Sequence, residues 1–119
     1  MPIALNDIPQ TFFTRVNNAA KSGDFSLILD LFLPQAVMEW TLKLPLKFTT
    51  SELIVDALQD LSKGFTFVVS APASTENIVA VNFYMYAAGS QTPASSGTAT
   101  FTVNEKSKIT YLKVVPLSQ

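Results

Sequence analysis

The chain contains no cysteine and no histidine in 119 residues. Without cysteine there are no disulfides, no thiol nucleophile and no thiolate metal ligands. Without histidine there is no Ser-His-Asp triad, no imidazole acid–base pair and no zinc site of the usual kind. Charge is also scarce. Charged residues make up 14%, and eight Lys+Arg against nine Asp+Glu leave a formal charge of −1. That balance gives no electrostatic footprint for nucleic acid or an anionic membrane. Apolar runs are short, none approaching the roughly 18 residues of a membrane span. The opening MPIALNDIPQ lacks a basic stretch followed by an apolar one, so it does not read as a secretory leader. The expectation is a cytoplasmic protein that binds neither nucleic acid nor membrane.

What is present is apolar side chain, 48% of the residues. That is too much for a disordered chain, and the length suits a single domain over 1–119 with roughly two thirds of its unfolded surface buried. Phe12, Phe13, Val16, Ala19 and Ala20 recur at helical spacing. Asp7 and Pro9 open that helix and Gly23 closes it in a left-handed turn. A short second helix is expected over Phe25–Phe32, with Pro34 just beyond. A third is expected over Thr50–Lys63, started by a capping box of Thr49 and Glu52 and ended by Gly64. Its apolar stripe is Leu53, Ile54, Ala57, Leu58 and Leu61, with Glu52, Asp56, Asp60 and Lys63 turned to water.

Between the second and third helices the period falls to two. Ala36, Met38, Trp40, Leu42, Leu44 and Leu46 form one apolar face of a half-buried strand that ends near Pro45. Strands are then expected at Phe65–Ser70, Ile78–Ala87, Thr98–Val103 and Lys108–Val115, joined by turn-rich segments at 71–77, 88–97 and 104–107. Helices interrupted by one strand, then a meander, define an α+β domain.

The run FFTRVNNAAKSGDFSLILDLFLPQAVMEW resembles the opening of nuclear transport factor 2-like domains. The matching features are Gly23-Asp24 after the long helix, the Leu31-Phe32-x-Pro34 stretch and the strand ending in Glu39-Trp40. TTSELIVDAL and GTATFTVNEKSKITYL add weaker support. The resemblance implies a cone: three N-terminal helices packed on a strongly curved, mostly antiparallel sheet that encloses a pocket. Ketosteroid isomerases, polyketide cyclase-like enzymes and carotenoid-binding domains share that superfamily, so no single activity follows from the fold. By the same resemblance, the general-base aspartate of the isomerases falls at Trp40 and their oxyanion-stabilising tyrosine at Val16. The carotenoid-binding relatives place a tyrosine near Val16 and a tryptophan near Ala99. An indole cannot abstract a proton and a valine cannot donate to an enolate. Hence no catalytic residue, metal ligand or cofactor is assigned.

The candidate inward set is Phe12, Val16, Met38, Trp40, Val81, Phe83, Met85 and Phe101. These residues either fill the cone as core or line a pocket for a small apolar ligand. The outward set, Asn82, Tyr84, Tyr86, Thr98, Thr100 and Thr102, suits a homodimer interface on the outer sheet face. The competing reading is a cyclase- or dehydratase-like enzyme using Glu39 or Asp30 with Tyr84, Tyr86 or Tyr111. Alternation turns Glu39 away from Trp40 unless a bulge rotates it inward. Arg15 either clamps an anion or lays its stem on apolar surface. Asp24 and Asp30 are accounted for by capping and solvation around the second helix. The inward phase of Lys113 is open, because Ile109 and Tyr111 share its face while Leu112 and Val114 share the other.

Overall fold

Period-two patterning becomes a seven-stranded sheet, seen in a computed structural model that describes residues 3–117. A short 3-10 turn, Leu5–Asp7, leads into α1 (Ile8–Ser22) and α2 (Ser26–Leu29). Next come β1 (Phe32–Trp40), β2 (Leu46–Phe48) and α3 (Ser51–Leu61). The chain finishes with β3 (Phe65–Val69), β4 (Ala73–Thr75), β5 (Ile78–Ala87), β6 (Ser95–Val103) and β7 (Ile109–Pro116). The strand order is β2-β1-β7-β6-β5-β3, with β4 also on β5. Only β1 and β7 run parallel; every other pair is antiparallel. The curved sheet holds the helices on its concave face, the expected α+β cone.

Local chemistry explains the boundaries. Gly23 closes α1 at φ 84°, its N–H donating to the Ala19 carbonyl at 2.7 Å. Asp7 stands at the N-cap of α1 without a side-chain hydrogen bond. Two differences concern the other helices. α2 is shorter than Phe25–Phe32, because Phe32 already belongs to β1 and pairs with Ile109. The cap of α3 is Thr50 rather than Thr49: the Thr50 hydroxyl accepts from the Leu53 N–H at 3.2 Å. Ser62, buried, ends α3 by donating its hydroxyl to the Leu58 carbonyl at 2.6 Å.

The strand expected to run to Pro45 stops at Trp40. There the Thr41 N–H and hydroxyl both donate to the Val114 carbonyl, at 2.9 and 2.7 Å, and the chain turns back into β2. Leu42 and Leu44 therefore leave the strand; Leu42 stays packed against the core, whereas Leu44 is 70% exposed. β4 falls within the segment expected to be turn, and Ser95–Gly97 within the next such segment.

One buried cluster joins α1, α2, α3 and the inner faces of β1, β3, β5, β6 and β7. Phenylalanines dominate it. Phe12 meets Phe13, Phe32 and Phe101 at ring separations of 4.9, 6.0 and 5.3 Å, all edge-to-face. Phe83 stacks at a tilt on Phe13 and Phe67, at 5.3 and 5.8 Å. Such pairs add to the stabilisation from area burial alone. Asn17 of α1 ties the helix layer to the sheet edge. Its amide donates to the Phe67 carbonyl at 2.9 Å and accepts from the Phe67 N–H at 2.8 Å. The edge-facing N–H and carbonyl of Phe67 are thus satisfied by a side chain, which blunts the middle of a strand edge open to unwanted pairing.

Candidate functional site

The phenylalanines stop short of the end of the sheet where β1 finishes and β6 begins. A concavity of about 350 Å³ opens there. Its walls are Trp40 from the end of β1, Leu42, Lys43 and Leu44 from the following turn, and Leu46 from β2. Asp60 and Leu61 come from the last turn of α3, Phe65 from β3, Met85 from β5, and Ala94 and Ser95 from the start of β6. The inward positions of β6 grow in size away from the hollow. Reading toward its far end they are Gly97, Ala99, Phe101 and Val103, small at the open end and large where the core is solid. A Cβ on Gly97 would stand 2.6 Å from the Val115 carbonyl oxygen and 2.8 Å from both Leu42 and Phe83. Glycine there lets Leu42 cross close over the strand. Trp40 is 4% exposed, its ring 6.1 Å from that of Phe83, so the indole forms the floor between core and hollow.

The lining is aliphatic and aromatic, with Lys43, Asp60 and Ser95 as its polar side chains. A volume of this size sits at the lower end of the roughly 300–1,000 Å³ typical of small-molecule sites. Asp60, which the helical pattern assigns to water, is exposed and also borders the hollow.

Of the inward set, Trp40 and Met85 line this concavity. Phe12, Val16, Met38, Val81, Phe83 and Phe101 are buried deeper, in the packed cluster. The physical reason is ring size: four phenylalanines meeting edge-on or tilted fill the narrow part of the cone. The hollow's remaining apolar walls, Leu42, Leu44, Leu46, Leu61 and Phe65, are absent from that set. The signal for the first three is the Leu-x-Leu-x-Leu continuation after Trp40, which period two alone assigns to the strand.

On the opposite face of the sheet, Asn82, Tyr84, Tyr86, Thr98, Thr100 and Thr102 are half-buried and point outward. The Thr98 hydroxyl donates to the Asn82 side chain at 2.9 Å across the β5–β6 pair. Val68 and Ile78 add exposed apolar surface to this face. Glu39 lies here too, between Lys47 of β2 and Lys113 of β7 in register. It accepts a hydrogen bond from the Tyr111 phenol. That bond, helped by partial burial and the nearby carboxylate charge, pushes the Tyr111 hydroxyl up to about 12. This hydrogen-bonded pair of ionisable groups therefore lies outside the cone, away from Trp40.

The remaining candidates stand away from the hollow. The Asp24 carboxylate accepts from the Ser26 hydroxyl at 2.7 Å and the Ser26 N–H at 3.0 Å, which together hold its pKa below the ordinary value. Arg15 donates to the Leu27 carbonyl at 2.7 Å. Lys113 is exposed, and a bulge in β7 sets its phase. Val103 pairs with Ile109 and Thr102 with Tyr111, so Thr110 is extra and Ile109 and Leu112 both face inward.

No family model matches the chain, and no curated protein matches it. Solved structures do. A candidate isomerase of the SnoaL-like family from Agrobacterium tumefaciens superposes with a TM-score of 0.82 at 13% identity, over 98% of this chain and 100% of its own. A candidate ketosteroid isomerase from Kribbella flavida gives 0.77 at 10% identity, over 97% and 78%. A protein of unknown function from Cytophaga hutchinsonii, described as nuclear transport factor 2-like, gives 0.72 at 15% identity, over 96% and 90%. The chain has the nuclear transport factor 2-like fold. At such identities the likeness carries architecture and not activity.

Proposed function

We propose that this protein is a ligand-binding cone domain that takes a small apolar or aromatic molecule into the hollow beside Trp40, and that it works as a homodimer. The observation that carries the reading is the wall of Trp40, Leu42, Leu44, Leu46, Leu61, Phe65 and Met85 around about 350 Å³ of space. A greasy ligand gains by leaving water for such a surface, and Lys43 and Asp60 at its border suit a polar substituent. Proton-shuttle catalysis of the isomerase type has little support. Trp40 and Val16 occupy the positions at which the family resemblance expects acid–base groups, and the Glu39–Tyr111 pair lies on the outer face.

Pairing through the outer sheet face is supported by its content. It carries Tyr84 and Tyr86, exposed Val68 and Ile78, and a Lys47–Glu39–Lys113 row. A two-fold axis through such a face can bring the carboxylate of one copy against a lysine of the other. Light scattering at micromolar concentration should give twice the chain mass, and Tyr84→Arg should return the monomer. A wild-type monomer would end this part of the proposal.

Trp40 is the chain's one tryptophan. Titrating naphthalene, indole analogues and a sterol should therefore change its emission saturably for at least one compound. A flat response to the whole panel, with no heat by calorimetry, would overturn the ligand-binding reading.

A further inference from the structure

A second concavity lies at the opposite end of the sheet, where β1 begins and the β6–β7 turn closes. It measures about 170 Å³ and is lined by Ile3, Arg15, Asp30, Leu31, Lys106, Ser107 and Lys108. The length of β1, about 26 Å at strand rise, separates it from the hollow beside Trp40. Its chemistry is the reverse of that hollow's. Three cations against one carboxylate give the lining a formal charge of +2, in a chain whose net charge is −1.

Two of the cations are fixed by neutral groups. The Arg15 guanidinium donates to the Leu27 carbonyl at 2.7 Å, and the Lys108 ammonium donates to the Asp30 carbonyl. A main-chain carbonyl holds a side chain in place without cancelling its charge. After these bonds the guanidinium keeps further N–H donors and the ammonium keeps two. The turn that carries the lysines is itself rigid. The Asn104 carboxamide oxygen accepts from the Lys106 and Lys108 N–H groups at 3.0 and 2.9 Å. The Ser107 hydroxyl donates to the Ile3 carbonyl at 2.8 Å, and Ser107 holds a left-handed φ of 63°. Such backbone strain persists where surrounding structure over-determines it.

From this arrangement we infer that the cleft between Arg15, Lys106 and Lys108 binds a phosphate group. A dianion matches the formal charge, and the fixed guanidinium fork suits two of its oxygens. The Asp30 carboxylate, on the same wall, favours a phosphate attached to a hydroxyl-bearing skeleton, since a carboxylate accepts hydrogen bonds from hydroxyls and repels a second anion.

The test follows backbone and Arg side-chain NMR signals of the whole chain during titration with inorganic phosphate, and separately with ribose 5-phosphate. Sodium chloride at matched ionic strength is the control. Saturable shifts are expected at Arg15 and Lys106–Ile109, with the sugar phosphate binding more tightly and the Trp40 indole signal unmoved. Lys106→Gln should weaken phosphate about three- to tenfold, the loss of one charge-assisted hydrogen bond at an exposed site. Lys106 is exposed, so this variant leaves the fold intact where Lys108 variants could disturb β7. Arg15→Gln should weaken binding at least as much. Shifts scattered over Lys21, Lys47 and Lys63 as well, equal affinity in the Lys106 variant, or the same response to chloride would each overturn the inference. Because the readout is remote from the hollow, its failure leaves the apolar-ligand reading standing, and the converse holds.

Discussion

At the scale of single residues, two placements have measurable consequences. Tyr111 donates to the Glu39 carboxylate, and its hydroxyl is pushed up to about 12. A raised acid favours its neutral form in the folded state. The associated stability is fully present below the ordinary phenol value near 10 and is lost as pH rises toward 12. Ultraviolet titration should show Tyr111 ionising near 12. Glu39→Gln should bring it back toward 10, and an unchanged late tyrosine in that variant would contradict the bond. Gly97 is the second case. A methyl group there meets the Val115 carbonyl oxygen at 2.6 Å, and backbone cannot swing aside as a side chain can. Gly97→Ala should cost about 1–3 kcal/mol, the range for overpacking, read as a lower urea midpoint. An unchanged midpoint would show that β6 and β7 relax freely at the cone's mouth.

Glu39 facing outward was legible from alternation with Met38 and Trp40. Its partner was not: Tyr111 lies 72 residues away, and only the parallel β1–β7 register brings them together. Gly97 hid inside a polar stretch that reads as loop, although its phase with Ala99, Phe101 and Val103 was the available clue.

At the scale of elements, what could be read was whatever a local period or a cap encodes. The α1 stripe, the left-handed Gly23 exit and the bodies of β3, β5 and β6 follow from spacing and turn chemistry alone. Two features resisted. The apolar alternation continues from Ala36 to Leu46, yet β1 ends at Trp40, and the later leucines wall the hollow, with Leu42 also packed against the core. In β7 the extra residue Thr110 breaks the period, so no single phase accounts for Ile109 and Leu112 both facing inward. α3 gives the clearest test at this scale. Its first turn depends on the Thr50 hydroxyl accepting from the Leu53 N–H. Thr50→Ala should cost about 0.5–2 kcal/mol, whereas Thr49→Ala should be close to neutral. Equal losses by thermal or urea unfolding would restore Thr49 as the cap.

At the scale of the whole molecule, the cone is solid at one end and hollow at the other. Phenylalanines from α1 and from β1, β3, β5 and β6 close the narrow part, while the hollow opens around Trp40 beside Ala94 and Ser95. The same backbone carries proteins described as isomerases and one of unknown function. The shared fold therefore carries no activity, and the proposed ligand site rests on the side chains at that mouth. The most direct measurement is methyl NMR of the protein titrated with naphthalene. The account predicts saturable shifts confined to Leu42, Leu44, Leu46, Leu61 and Met85, with the methyls of Val16, Met38 and Val81 unmoved. Shifts centred on those buried methyls, or none at any methyl up to the solubility limit, would contradict it.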